Sequence, residues 1–188
     1  MRRLALALVG LVLLAGCGPQ VMPAAEAPPV NGDPITTEVV PAVPVSIAIP
    51  KLGVVDDMVA VKVQPDGAME VPPVDKTGWW SDAVHPGELG VAVVLSHVNY
   101  KGEQGAFSRL SELRRGDAVT VTDADGVVRK FVVTVARTFE KDAFAENHAL
   151  MFDNPDNTRD LVLVTCGGTL VGHNYDSNVV VRATESSA

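Results

Sequence analysis

From Val45 to Ala183 the chain is a succession of short β-branched runs closed by turn residues, a cadence that leaves room for little besides strands. The runs occupy 45–49, 59–63, 91–95, 118–122, 127–137, 161–165 and 178–183. Within them apolar residues alternate or continue unbroken, as half-buried and fully buried strands require. Pro65-Asp66-Gly67, His85-Pro86-Gly87 and Asp123-Ala124-Asp125-Gly126 supply the turns, the last joining two runs as a hairpin. Only 107–115 reads as helix, with Phe107, Leu110 and Leu113 three apart and Gly116 as a stop. Seven or eight strands without β–helix–β alternation predict an all-β fold, a closed or nearly closed antiparallel-rich barrel.

Residues before this region have other tasks. Met1-Arg2-Arg3 is a basic start, and Leu4 to Ala15 is a twelve-residue run without a polar side chain. That is too short for a comfortable permanent span of a hydrocarbon core about 30 Å thick, so 1–16 reads as a signal peptide. The run ends Leu14-Ala15-Gly16-Cys17, which resembles the bacterial lipobox and implies that Cys17 is lipidated and becomes the new amino terminus. The competing reading is a plain signal peptide or signal anchor in which Cys17 is incidental. Residues 17–44 hold seven of the thirteen prolines and show no apolar period, which predicts an extended, semi-rigid stalk. The folded domain is expected over 45–188.

Charge and thiol content narrow the function. Fifteen basic against twenty-three acidic side chains give a net charge of −8, a field that repels phosphate backbones and argues against a nucleic-acid partner. Two cysteines and four histidines, none close together, lack the paired spacing of zinc motifs, so no metal ligand set is expected. With Cys17 lipidated, Cys166 is the lone thiol in an oxidising compartment, and a redox role would lack a resolving cysteine.

Chemistry gathers at two strand ends. In Leu163-Val164-Thr165-Cys166-Gly167-Gly168 the apolar run stops at the cysteine and two glycines open the backbone, which places the thiol at the barrel rim. A small buried core cysteine is the alternative. Leu95-Ser96-His97-Val98 likewise ends an apolar run, where the histidine could simply be hydrogen-bonded. Together the two suit nucleophilic catalysis, because a thiolate needs a nearby cation and a leaving amine needs a proton donor. Trp79-Trp80 reads as packing or as the lining of a peptide groove, and His148 and His173 read as loop or surface residues.

At this point the chain resembles the sortase family, and within it the actinobacterial class F type. The resemblance rests on Ile47-Ala48-Ile49-Pro50-Lys51-Leu52-Gly53, Val71-Pro72-Pro73, Gly78-Trp79-Trp80, Leu95-Ser96-His97-Val98 and Gly105-Ala106-Phe107-Ser108-Arg109-Leu110. It continues through Arg115-Gly116-Asp117, Lys141-Asp142-Ala143-Phe144, the Cys166 segment and Asn178-Val179-Val180-Val181. It implies an eight-stranded sortase-like β-barrel with one or two short helices. It also implies a cysteine transpeptidase needing no cofactor. Cys166 would attack the Thr–Gly carbonyl of an LPXTG-like sorting signal on a secreted protein. His97 would protonate the departing amine, and an amine acceptor, a cell-wall peptide, would resolve the thioacyl-enzyme. Calcium modulates some sortases, but the acidic residues here have no EF-hand spacing.

One departure bears on mechanism. The family carries an arginine near the start of the last strand, and Asp176 stands there in His173-Asn174-Tyr175-Asp176-Ser177-Asn178. Asn178 and Arg182 are the remaining candidates for stabilising oxyanion or substrate, although Arg182 lies about 20 Å along the strand from Asp176 and reads more readily as a solvated residue. Two functions follow: an active sortase on the extracytoplasmic membrane face, held there by its lipid, or a catalytically weak or inactive module that binds sorting-signal peptides.

Overall fold

The computed structural model describes residues 40–186; the expected signal peptide, Cys17 and nearly all of the stalk lie outside the described residues. Ten strands form in chain order: β1 (Pro44–Ile49), β2 (Val54–Val61), β3 (Thr77–Trp80), β4 (Gly90–Leu95), β5 (Asn99–Tyr100), β6 (Glu103–Gln104), β7 (Ala118–Asp123), β8 (Val128–Glu140), β9 (Arg159–Val171) and β10 (Asn174–Glu185). Eight of them close a barrel in the order β1-β2-β3-β4-β9-β10-β8-β7, and β5 and β6 pair separately. Adjacent strands in sequence form hairpins, whereas β2/β3 and β4/β9 are parallel, so the barrel is mixed but mainly antiparallel. The 123–126 turn joins β7 to β8, with the Asp123 carboxylate accepting the Asp125 and Val127 N–H groups at 3.1 and 2.9 Å.

Period-two alternation sorts the strands' side chains. Leu161 and Leu163 of β9 and Val179, Val181 and Ala183 of β10 face the barrel interior with Ile47, Val94 and Phe131. Val162 and Val180 face outward and pack with Met151 in a second, smaller cluster. Met151 belongs to α2 (His148–Phe152), which with α1 (Lys141–Phe144) covers part of this outer face. The two short helices therefore lie between β8 and β9.

The helix expected at 107–115 is not formed: the segment is a series of turns with one 3-10 turn at Leu110–Glu112. Phe107, Leu110 and Leu113 are fully buried all the same. A strict spacing of three is the 3-10 period, in which i and i+3 eclipse, and so three turns of chain can plug the barrel with one side chain each. The segment before β1 is already part of the domain: Pro41 is buried, its carbonyl accepts from His85 Nδ1 at 2.7 Å, and Val43 C=O accepts from Ala124 N–H.

Candidate active site

Strand β9 does not stop at Thr165. It continues to Val171 because β10 pairs with it throughout, and Cys166 accordingly lies within the strand rather than at a rim. Cys166 shares parity with Val162 and Val164, so its side chain is on the outer face, where it is a free, exposed thiol.

His97 reaches the same face through register. In the parallel β4/β9 pair Gly90 lies beside Arg159 and Leu95 beside Val164, an offset of 69 that directs the chain leaving β4, with His97 two residues on, toward the Cys166 stretch of β9. Beyond the ladder the exit of β4 stays locked to β9. Ser96 N–H donates to Val164 C=O at 3.3 Å, and the buried Thr165 hydroxyl donates to Ser96 C=O at 2.7 Å. On the other side of β9, Asn178 is the cross-strand partner of Cys166. Cys166 on β9, Asn178 on β10 and His97 at the exit of β4 therefore line one cavity of about 730 Å³.

His97 is held from three sides. Its Nε2–H donates to Pro72 C=O at 3.1 Å, which orients the ring and leaves Nδ1 as the nitrogen available for proton exchange. The ring stacks on Tyr100 with centroids 5.3 Å apart at 29°. Its backbone carbonyl accepts from Phe107 N–H, and Gly105 N–H donates to Val98 C=O. Gly105 lies so close that a Cβ there would sit 2.6 Å from the His97 carbonyl carbon and from its Cβ. Only glycine fits this approach, which explains its place in the Gly105-Ala106-Phe107 segment.

Arg182 is not brought to the cavity. It sits four residues from Asn178 on β10, about 13 Å at strand rise, and its Nη2 lies 2.6 Å from Asp160 Oδ2 with only 13% and 2% of the two side chains exposed. A solvated arginine was one expectation; the structure instead makes it half of a buried ion pair. Asp176 is also turned to structural use. It lies opposite a bulge in β9, where its carboxylate accepts Thr169 N–H at 2.9 Å and the Ser177 hydroxyl at 2.7 Å. These hydrogen bonds, the Ser177 one foremost, hold its pKa below the usual carboxylate range, with the Lys141 charge a lesser contribution.

Sequence reasoning missed the cations of the site. Lys141, at the end of β8 beside the Ser177–Asn178 stretch, and Lys101, in the β5/β6 turn, both line the cavity, and so does His173, expected on the surface. Lys141 was visible only as part of a motif; its place follows from the Glu140–Ser177 pairing, which local sequence does not encode. Trp79 is buried in the core and Trp80 packs edge-on against Phe152, so both tryptophans serve packing. No cluster of His, Cys, Asp or Glu suited to a metal occurs among the described residues.

Residues 47–186 match the sortase domain family. The chain belongs to the sortase family. No curated protein sequence matches it. The barrel is similar to solved sortases: sortase A from Corynebacterium diphtheriae (TM-score 0.61, 18% identity, 79% of this chain and 62% of that one) and sortase C-1 from Actinomyces oris (0.60, 17%, 76% and 73%). A Streptococcus pneumoniae sortase C is similar as well (0.58, 18%, 76% and 66%). The chain thus spans under two thirds of the diphtherial sortase. At these identities the likeness establishes the eight-stranded mixed barrel of sortases.

Proposed function

We propose that this sortase is a class F-type cysteine transpeptidase that cleaves an LPXTG-like sorting signal on secreted proteins and joins the acyl part to an amine of a cell-wall peptide. The observation that carries this reading is that His97, two residues past the end of β4, and Cys166, the described cysteine on the parallel neighbour β9, line one cavity.

In this mechanism His97 Nδ1 takes the Cys166 thiol proton, and the resulting thiolate attacks the Thr–Gly carbonyl, forming the C–S bond and placing negative charge on the carbonyl oxygen. Asn178 and Lys141 are the donors available for that oxyanion, in place of the arginine that Asp176 replaces. Collapse breaks the C–N bond, and His97, its Nε2 engaged by Pro72, delivers the Nδ1 proton to the leaving amine. The acceptor amine then attacks the thioester, losing a proton to His97 and releasing Cys166 as thiolate. Binding without turnover has less support, since cation, histidine and thiol share one cavity.

We further propose attachment through Cys17 at the extracytoplasmic membrane face. Pro44 enters the barrel beside Asp123, at the end that also holds Glu185. Asn178 lies seven residues from Glu185, about 23 Å along β10. The cavity therefore opens away from the end at which the chain arrives.

The test is transpeptidation by the purified chain of an LPXTG-like peptide with triglycine, followed by chromatography. Formation of the ligated product, lost in Cys166→Ala, supports the proposal; a peptide that binds but is never cleaved refutes it.

A further inference from the structure

In a protein of net charge −8, the cavity around Cys166 is lined by two lysine cations, Lys101 and Lys141, with His97 and His173 beside them and, among the described residues, by no carboxylate. Charge of one sign focused in a concave site selects ligands of the other. Glu70, Glu140, Asp142 and Asp176 adjoin lining residues in sequence but are themselves outside the lining, and Asp176 already accepts two hydrogen bonds. The rest of the wall is apolar, with Val71 and Leu170 61% and 55% exposed there. A ligand matching this wall is an extended peptide with apolar side chains and a carboxylate.

Two of the four basic groups have other tasks. His97 is engaged by Pro72 and Tyr100, and Lys141 stands at the Cys166–Asn178 end. Lys101 differs: it occupies the β5/β6 turn at φ 51, and its ammonium lies 5.1 Å from the centroid of the Tyr100 ring. Non-glycine residues are uncommon in that left-handed conformation. The arrangement holds a cation over the aromatic face beside His97, at the cavity wall.

We propose that this site selects sorting peptides bearing an acidic residue near the scissile bond, with Lys101 as the residue that reads the carboxylate. The proposal rests on the transpeptidase reading for the identity of the ligand as a sorting signal, and it names the feature of that signal which the cavity distinguishes. The carboxylate belongs to the acyl donor rather than to the acceptor, because Lys101 lies on the His97–Tyr100 wall with the apolar surface an extended donor would follow.

The experiment compares LPETG and LPQTG peptides on the full chain, at low and high salt. The expected preference for the Glu peptide in kcat/KM is about fivefold, the upper range for one exposed ion pair, shrinking as salt screens it. Lys101→Gln should bring the Glu/Gln ratio close to one, and Lys101→Arg should keep it. Equal use of the two peptides by the unaltered chain, or an unchanged ratio in Lys101→Gln, overturns the proposal. A parallel arm with triglycine and triglycinamide locates the carboxylate: discrimination between these acceptors without discrimination between the donors also overturns it. Anisotropy of the labelled peptides on Cys166→Ala separates the two readings. Selective binding of the Glu peptide without turnover by the unaltered chain would sink the transpeptidase and leave the selectivity standing. Equal binding together with equal turnover would do the reverse.

Discussion

Replacing Arg182 with alanine separates two roles that a lone arginine on the last strand can play. Its guanidinium donates from Nε and Nη2 to Asp160 Oδ2 at 3.1 and 2.6 Å, and Asp160 is 2% exposed with its other oxygen unpartnered. Removing the cation strands a buried carboxylate, a change that costs about 3–5 kcal/mol. A domain of this size loses about 2–4 °C in Tm per kcal/mol, so unfolding should move down by about 10 °C. Arg182→Met with Asp160→Val, which removes both charges, should recover much of the loss, since an apolar pair has no stranded ion. Circular dichroism on heating reads the stability, and peptide turnover well below the transition reads the chemistry, which should stay within about threefold of the unaltered chain. An unchanged Tm with abolished turnover would refute the structural role and return Arg182 to the substrate.

Gly105→Ala should lower turnover far more than it lowers Tm, because the added Cβ displaces the His97 backbone; equal kinetics would show that the loop yields. Lys141→Gln should reduce kcat by about ten- to a hundredfold with little change in KM if the lysine acts on the oxyanion, and a change confined to KM contradicts that assignment. Asp176 has a lowered pKa in the folded chain, so its contribution is present above the unfolded carboxylate value and is lost as pH falls through the folded one. Hydrogen exchange at the Thr169 amide should therefore accelerate in acid beyond the intrinsic trend, and Asp176→Ala should abolish the extra pH dependence. Cys17→Ser should abolish partition into detergent in the host, and an unlipidated native protein with another amino terminus contradicts the anchor.

Most of the barrel is written in the β-branched runs, since burial of a strand face imposes its own period. What was missed is tertiary. Strand β3, Thr77-Gly78-Trp79-Trp80, has no β-branched alternation, and its glycine is required by packing: a Cβ at Gly78 would lie 2.9 Å from Val61 Cγ1 on the parallel neighbour. Gly167-Gly168 read as the end of β9, but pairing with β10 carries the strand past them with one bulge opposite Asp176. Cys166 and His97 stood out from local chemistry and resemblance, whereas their meeting on one cavity follows from the parallel pairing of β4 with β9, which neither segment encodes. Lys101 and Lys141 look like solvated surface residues until the β5/β6 turn and the end of β8 are folded against the same cavity.

The most direct measurement of the central claim is intact-protein mass spectrometry of the full chain incubated with an LPXTG-like peptide and no amine. The account predicts a mass increase equal to the peptide acyl fragment ending at threonine, mapped to Cys166 and released by hydroxylamine. The adduct should be absent in Cys166→Ala and should form more slowly in His97→Ala. Cleavage that persists in Cys166→Ala, or an adduct on any other residue, would contradict it.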